Sequence, residues 1–249
     1  MKVLGVIPAR YGSSRFPGKP LVKVFDKTMI EMVYEKASMS NVLHKIIVAT
    51  DDPRIVSAVE NFGGNAMLTS DNHPSGTDRL GEVAKSYPDF NIYVNIQGDE
   101  PFLDPDQVNE LISPFDGNKD CSISTLIKKI QTEEELLDPG EAKVVMDIFN
   151  NILYFSRSPI PFLRNESKPW ADKALYYKHV GLYAFTYESL QKVTALSVSS
   201  LESAESLEQL RWLENGIKIT GVITEKESFC IDTPEDLAKA RVLFGNQNV

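Results

Sequence analysis

Residues 3–7 form a continuous apolar, partly β-branched run, which predicts a buried first strand. A stretch rich in Gly, Ser, Arg and Pro follows from Tyr11 to Pro20, and apolar residues then recur at helical spacing through Ile30, Val33, Tyr34 and Ala37. The strand pattern returns at Lys45 to Ala49. Asp52-Pro53 next sets a capping side chain before a proline suited to the first helical turn, with Ile55, Val56, Val59 and Phe62 on one face and Gly63-Gly64 as the stop. A short strand at Ala66–Leu68, a helix around Leu80, Val83, Ala84 and Tyr87, a strand at Ile92–Ile96 and a helix opened by Asp104-Pro105 continue the alternation. Parallel strands require crossover connections, so this rhythm predicts a doubly wound, mainly parallel α/β sheet.

After about residue 115 the rhythm changes. Ala142–Phe149 and Ile152–Ser156 flank Asn150-Asn151, a hairpin-turn pair, and Tyr177–Thr186 reads as a long strand. Helices are expected at Glu202–Asn215 and Pro234–Phe244, around a strand at Ile217–Ile223. With no repeat, low-complexity tract or evident linker, the expectation is a single domain, 1–249, with a β-rich elaboration near 120–190.

The chain has 249 residues, 42% hydrophobic and 24% charged, and a net charge of −9, the profile of a folding globular chain. That acidity argues against nucleic acid or anionic membrane as a partner, so an anionic ligand must be met by a local cluster of cations. Cys121 and Cys230 are the two cysteines, too few for a disulfide framework, and the first apolar run is too short for a signal-peptide core or a membrane span. The expected compartment is the cytoplasm.

Such a cluster stands directly after the first strand. Pro8-Ala9-Arg10-Tyr11-Gly12-Ser13-Ser14-Arg15-Phe16-Pro17-Gly18-Lys19-Pro20 places Arg10, Arg15 and Lys19 among glycines and serines, where backbone N–H groups and cations can face one polyphosphate. Five residues separate Gly12 from Gly18, and Lys19 precedes proline, so this is not the NTPase phosphate loop; nor does it contain G-x-G-x-x-G.

This loop resembles the signature of sugar nucleotidyltransferases, and in detail that of the cytidylyltransferases that activate 3-deoxy-manno-octulosonate (Kdo). The resemblance continues in the same order through Ala49-Thr50-Asp51-Asp52, Ser75 to Leu80, Asn95 to Pro101, Tyr154 to Arg157, Lys178 to Tyr183, Glu205 to Arg211 and Asp232 to Leu237. It implies transfer of CMP from CTP to an acidic 2-keto sugar, release of pyrophosphate, Mg²⁺ as cofactor, and a homodimer using the β-rich elaboration, with Tyr154, Phe155, Tyr183 and Phe185 as apolar area or as core. It further implies Arg10, Lys19, Asp99 and Asp232 as catalytic residues, the last two holding the metal. CTP would meet Pro8, Ala9, Arg10, Arg15, Lys19, Ser75, Gly76, Arg79, Gln97 and Gly98, and the sugar Arg157, His179, Tyr183, Glu208 and Gln209.

The residue types bear independently on these roles. Gln97-Gly98-Asp99 lies at the carboxyl end of a strand, where ligands of such sheets bind, and a carboxylate there is a hard donor for Mg²⁺. Asp232, just before a helix, reads equally as its N-cap; Arg79 reads equally as a surface residue, His179 as a core histidine, and Glu208 and Gln209 as a solvated helix face. The alternatives to Kdo are its 8-amino analogue or another acidic 2-keto sugar. A catalytically silent nucleotide-binding regulator is the alternative outside the enzymes, and the retained carboxylates and loop cations count against it.

Overall fold

The computed structural model describes residues 1–12, 16–117 and 120–245, which form two compact units: Met1–Asn109 with the segment from Glu227 onward, and Glu110–Lys226. In the first unit the chain runs β1 (Val3–Ala9), α1 (Met29–Ser38), β2 (Lys45–Thr50), α2 (Pro53–Asn61), β3 (Ala66–Leu68), α3 (Gly76–Ser86) and β4 (Ile92–Asn95), and it leaves this unit within α4 (Pro105–Ile112). These strands are parallel and ordered β3-β2-β1-β4. The chain therefore steps from β1 to β3 in one direction and then crosses back beyond β1 to β4. Right-handed crossovers put α1 and α2 on one face and α3 on the other, which makes the gap between the carboxyl ends of β1 and β4 the topological switch point. Because both faces are covered, Leu4, Val6 and Ile7 are all fully buried, so β1 reads as a continuous apolar run. Asp52 caps α2 as expected, accepting from Arg54 N at 2.9 Å, and Gly63 beyond its end has φ 80°.

The second unit contains β5 (Ile123–Lys129), α5 (Glu133–Leu137), β6 (Lys143–Met146), β7 (Ile152–Ser156), β8 (Tyr177–Thr186), α6 (Tyr187–Thr194), α7 (Ser200–Glu205), α8 (Gln209–Glu214) and β9 (Thr220–Ile223). β5 pairs antiparallel with β8 and parallel with β9, and β6 pairs antiparallel with both β7 and β8. The strand expected over 142–149 is shorter. Asp147 Oδ1 accepts from Phe149 N and Asn151 N, each at 2.8 Å, and Asn150 sits at φ 63°, so the chain has turned before Phe149. The single helix expected over 202–215 is two. A capping box between Ser199 and Glu202 starts α7, and the left-handed Ser206 (φ 52°) redirects the chain so that Leu210 and Trp212 of α8 are buried. Phe155, Tyr183 and Phe185 fill the core, while Ile148, Phe149 and Leu153 are the exposed apolar residues of the β6–β7 hairpin.

The chain returns to the first unit to end in α9 (Pro234–Phe244). Val24, Met29, Met32, Ile231, Leu237 and Ala240 form one buried cluster, against which Phe25, Phe102, Phe229 and Phe244 pack. Arg241 Nε and Nη2 donate to the carbonyls of Val24 and Lys23 at 2.8 and 2.7 Å. This seats α9 against the chain that follows Lys19.

Candidate functional site

The switch point holds the loop singled out by the sequence. Pro8, Ala9, Arg10, Lys19, Gly76, Gln97, Gly98, Asp99 and Asp232 line one cleft of about 390 Å³, together with Gly12 and Pro20. Arg15 lies outside the described residues. The two strand ends come very close here: a Cβ on Gly98 would stand 2.7 Å from the Pro8 carbonyl oxygen, so only glycine fits. Gly18, at φ 70°, donates from its N–H to Tyr11 O at 2.9 Å, closing the loop's base and setting the direction of Lys19. The Arg54 guanidinium lies 3.4 Å over the Tyr11 ring, and a Cβ on Gly18 would stand 3.3 Å from the same ring.

Lys19 is the centre of the cleft. Its Nζ donates to Asp99 Oδ2 at 2.8 Å and to Asp232 Oδ1 at 2.9 Å. Burial lowers the ammonium's pKa, but the charges and hydrogen bonds of the two carboxylates more than offset this and leave it raised. The carboxylates meet because Ile231 N donates to Asp99 O at 2.9 Å, joining two segments far apart in sequence. The cap reading of Asp232 does not hold: Thr233 caps α9, in a capping box with Asp236 and with Pro234 in the first turn. Asp232 is left to face Lys19. Beside it, burial and then Asp99 push Glu100 up to about 8, and the free Cys230 thiol is raised by burial and by Asp99 and Asp232.

Arg10 donates through Nη2 to the His73 carbonyl, and the His73 ring meets Glu82 Oε2, contacts that the sequence reading did not foresee. Ser75 caps α3, its Oγ accepting from Asp78 N at 3.1 Å, which presents the helix N-terminus beside Gly76. Arg79 is no surface residue. It is 0% exposed, donates through Nη1 to Thr69 Oγ1 and has Asp51 Oδ1 3.8 Å from Nη2.

The remaining candidates lie in the second unit. At the register shift between Thr125 and Leu126, β8 carries extra residues, and Thr125 Oγ1 donates to Leu182 O at 2.8 Å while lying 3.0 Å from His179 Nε2. The hydroxyl's one proton is committed to the carbonyl, so His179 Nε2 is the donor and its Nδ1 is left as an acceptor. The His179 ring stands 5.1 Å from that of Tyr183, which in turn stands 5.1 Å from that of Trp212 on α8. Burial first, and then the Glu208 charge, hold the Tyr183 phenol well above its ordinary value. Gln209 is buried rather than on a solvated face, and Glu208 Oε1 pairs with Arg211 Nη2 at 2.9 Å. Arg157 is tied down: Nε, Nη1 and Nη2 donate to the carbonyls of Glu205, Pro139 and Ser206 at 2.7, 2.8 and 3.2 Å.

Burial pulls His179 from 6.5 down to about 4. The unfolded chain therefore binds this proton at a higher pH than the folded one. Stability from this group is complete above about pH 6.5 and is lost as pH falls towards 4, a loss on the order of 3 kcal/mol. Thermal unfolding followed from pH 7 to 4 is expected to show that acid-side decline in the parent chain and a shallower one in His179→Asn.

A parallel α/β sheet with a loop cation set between two carboxylates at its switch point suits a nucleotidyltransferase. The comparisons narrow the class. The cytidylyltransferase family profile matches residues 4–219. The 3-deoxy-manno-octulosonate cytidylyltransferases of Bacteroides thetaiotaomicron and Parabacteroides distasonis are 49% and 47% identical to the chain, covering 100% and 99% of it and 100% of each relative. A solved CMP:2-keto-3-deoxy-manno-octonic acid synthetase complexed with CTP superimposes with a TM-score of 0.92 at 44% identity, covering 99% of this chain and 100% of that one. A cytidylyltransferase from Leptospira borgpetersenii, 17% identical with a TM-score of 0.62, covers 100% of this chain and 99% of its own and shares the fold alone. The chain belongs to the 3-deoxy-manno-octulosonate cytidylyltransferase family.

Proposed function

We propose that this chain transfers the cytidylyl group of CTP to the anomeric hydroxyl of Kdo and releases pyrophosphate, with Mg²⁺ as cofactor. The observation that carries the reading is the Lys19 ammonium held between Asp99 and Asp232 in the switch-point cleft. The same ammonium tests the fit of the metal, because it shows that the two carboxylates converge on one cation position. Both supply hard oxygen donors, and their oxygens lie within 4.8 Å of each other, so Asp99 and Asp232 would hold Mg²⁺. When bound, the ion would polarise the α-phosphate and carry charge on the departing pyrophosphate.

The chain's own residues supply position and charge. Gly98 and Gly76 let a nucleotide approach the backbone, and Ser75, Gly76 and the buried Arg79 face its base with Pro8, Ala9 and Gln97. Arg10, Arg15 and Lys19 neutralise the triphosphate and stabilise the charge that grows as the bond between the α- and β-phosphates breaks. The sugar's hydroxyl forms the new bond to the α-phosphorus, so no covalent enzyme intermediate is required. Arg157, His179, Tyr183, Glu208 and Gln209 are assigned to the sugar acid. His179, kept neutral by burial, offers its Nδ1 as an acceptor to a sugar hydroxyl.

A homodimer through the second unit is part of this reading, supported by the exposed Ile148, Phe149 and Leu153; sedimentation of the parent chain and of Phe149→Glu tests it. No helix among the described residues is long and apolar enough to cross a membrane, and a cytoplasmic site of action accords with two free cysteines. Product formation from CTP with Kdo, 8-amino-Kdo and a sialic acid, each with Mg²⁺ and with excess chelator, tests the function. Kdo is expected to be the preferred acceptor, with no product in chelator. In the same assay His179→Gln is expected to raise the apparent KM for the sugar by about tenfold while CTP affinity, read by calorimetry, stays unchanged. An equal loss of CTP affinity would remove His179 from the sugar site.

A further inference from the structure

We propose that Cys230 joins Asp99 and Asp232 in a mixed sulfur and oxygen site that binds thiophilic divalent cations such as Zn²⁺ and Cd²⁺. The inference rests on the reading of Asp99 and Asp232 as the ion-holding pair and extends it to a residue that this reading does not use. One ligand atom from each of the three side chains lies within 4.8 Å of the others, a spread that a single ion can bridge. The backbone makes this arrangement firm. Ile231 is fully buried in the core cluster and donates to Asp99 O, so the residues on either side of it, Cys230 and Asp232, are both presented away from that core.

The charges favour a divalent cation. Asp99 and Asp232 together outweigh the single charge of Lys19, which already marks the cation position between them. Glu100, 7% exposed and next to Asp99 in the chain, adds an independent sign: its buried Oε2 has no hydrogen-bond partner among the described residues. A cation at the cluster would satisfy that oxygen electrostatically. Ligand softness then decides which ion gains. Mg²⁺ draws on the carboxylates and ignores sulfur, whereas Zn²⁺ and Cd²⁺ gain a strong third donor in the thiolate. This chain is therefore expected to take thiophilic ions without nucleotide, at the expense of the Lys19 bridge.

The test is a Cd²⁺ titration of the full chain without CTP, followed by the ultraviolet sulfur-to-cadmium charge-transfer band and by calorimetry, with circular dichroism confirming that each variant is folded. The parent chain and Cys121→Ser are expected to develop the band. Cys230→Ser should lose it and bind Cd²⁺ at least about tenfold more weakly, and Asp232→Asn should bind more weakly as well. No band in the parent chain, a band that persists in Cys230→Ser, or Cd²⁺ affinity unchanged in Asp232→Asn would each overturn the site. Mg²⁺-dependent CMP–sugar formation by the parent chain in cadmium-free buffer is measured separately; its absence would defeat the proposed function, whereas a negative titration beside normal turnover would defeat the Cys230 site alone.

Discussion

Asp232→Asn is expected to lower turnover by on the order of a hundredfold or more while leaving the thermal unfolding midpoint close to that of the parent chain. The separation of the two effects follows from the helix start. Thr233 caps α9, Pro234 occupies its first turn and Asp236 closes the capping box, so the side chain of residue 232 contributes no cap. Asparagine keeps the size of aspartate and one oxygen, but it loses the charge that faces Lys19 at 2.9 Å and would bind the metal. Turnover near that of the parent chain would remove Asp232 from the reaction, and a large fall in the midpoint would make it a structural residue. Asp99→Asn should match it in turnover, since both carboxylates serve one cation position.

Lys19→Ala is expected to raise the KM for CTP and lower kcat together, each by about tenfold or more. Lys19 is held by Gly18, whose positive φ and bond to Tyr11 O fix the direction of the chain, and by the core cluster beneath residues 22–25. Its ammonium therefore stands in place before any nucleotide arrives. Removing it takes away a charge that serves bound CTP and the departing pyrophosphate alike, so ground-state binding and the chemical step should both suffer. Steady-state kinetics with CTP varied, together with calorimetric titration of CTP, checks this. A change in KM with kcat intact would limit Lys19 to substrate capture.

The first unit was legible in the sequence because its strands are covered on both faces. The runs at residues 3–7 and 46–49 are continuously apolar, and Asp52-Pro53 and Gly63 mark helix ends by local chemistry alone. The second unit hid more. β5 carries Ser124, Thr125 and Lys128 at buried positions, and a strand whose polar residues point inward shows neither alternation nor an apolar run. Their reasons are tertiary: Ser124 Oγ donates to Leu111 O at 2.6 Å, and Lys128 Nζ to Glu225 O at 2.8 Å. The break at Ser206 was equally silent, since serine in the left-handed region leaves no mark comparable to glycine.

The site divides in the same way. Arg10, Lys19 and Asp99 could be brought to one cleft from the loop after the first strand and the end of the fourth, whereas Asp232 could not be separated from a helix cap until Thr233 was seen as the cap. Arg79 read either as a nucleotide contact or as a surface residue of its helix, and it is buried beside Asp51, a pairing across distant segments that no local pattern encodes. Cys230, read only as one of two cysteines too few for a disulfide framework, carried little local signal. Its one sequence signal was a position two residues before Asp232, which in this chain brings both side chains to the same cluster.

The central claim, transfer of CMP from CTP to Kdo at the cleft of Lys19, Asp99 and Asp232, is tested most directly by phosphorus NMR of CTP incubated with Kdo, Mg²⁺ and the parent chain. The account predicts that the β- and γ-phosphates leave together as pyrophosphate while the α-phosphorus appears in a new sugar phosphodiester, with neither change in the Asp99→Asn, Asp232→Asn double variant. Release of inorganic phosphate without a diester, no turnover of CTP with Kdo, or equal product from the double variant would contradict it.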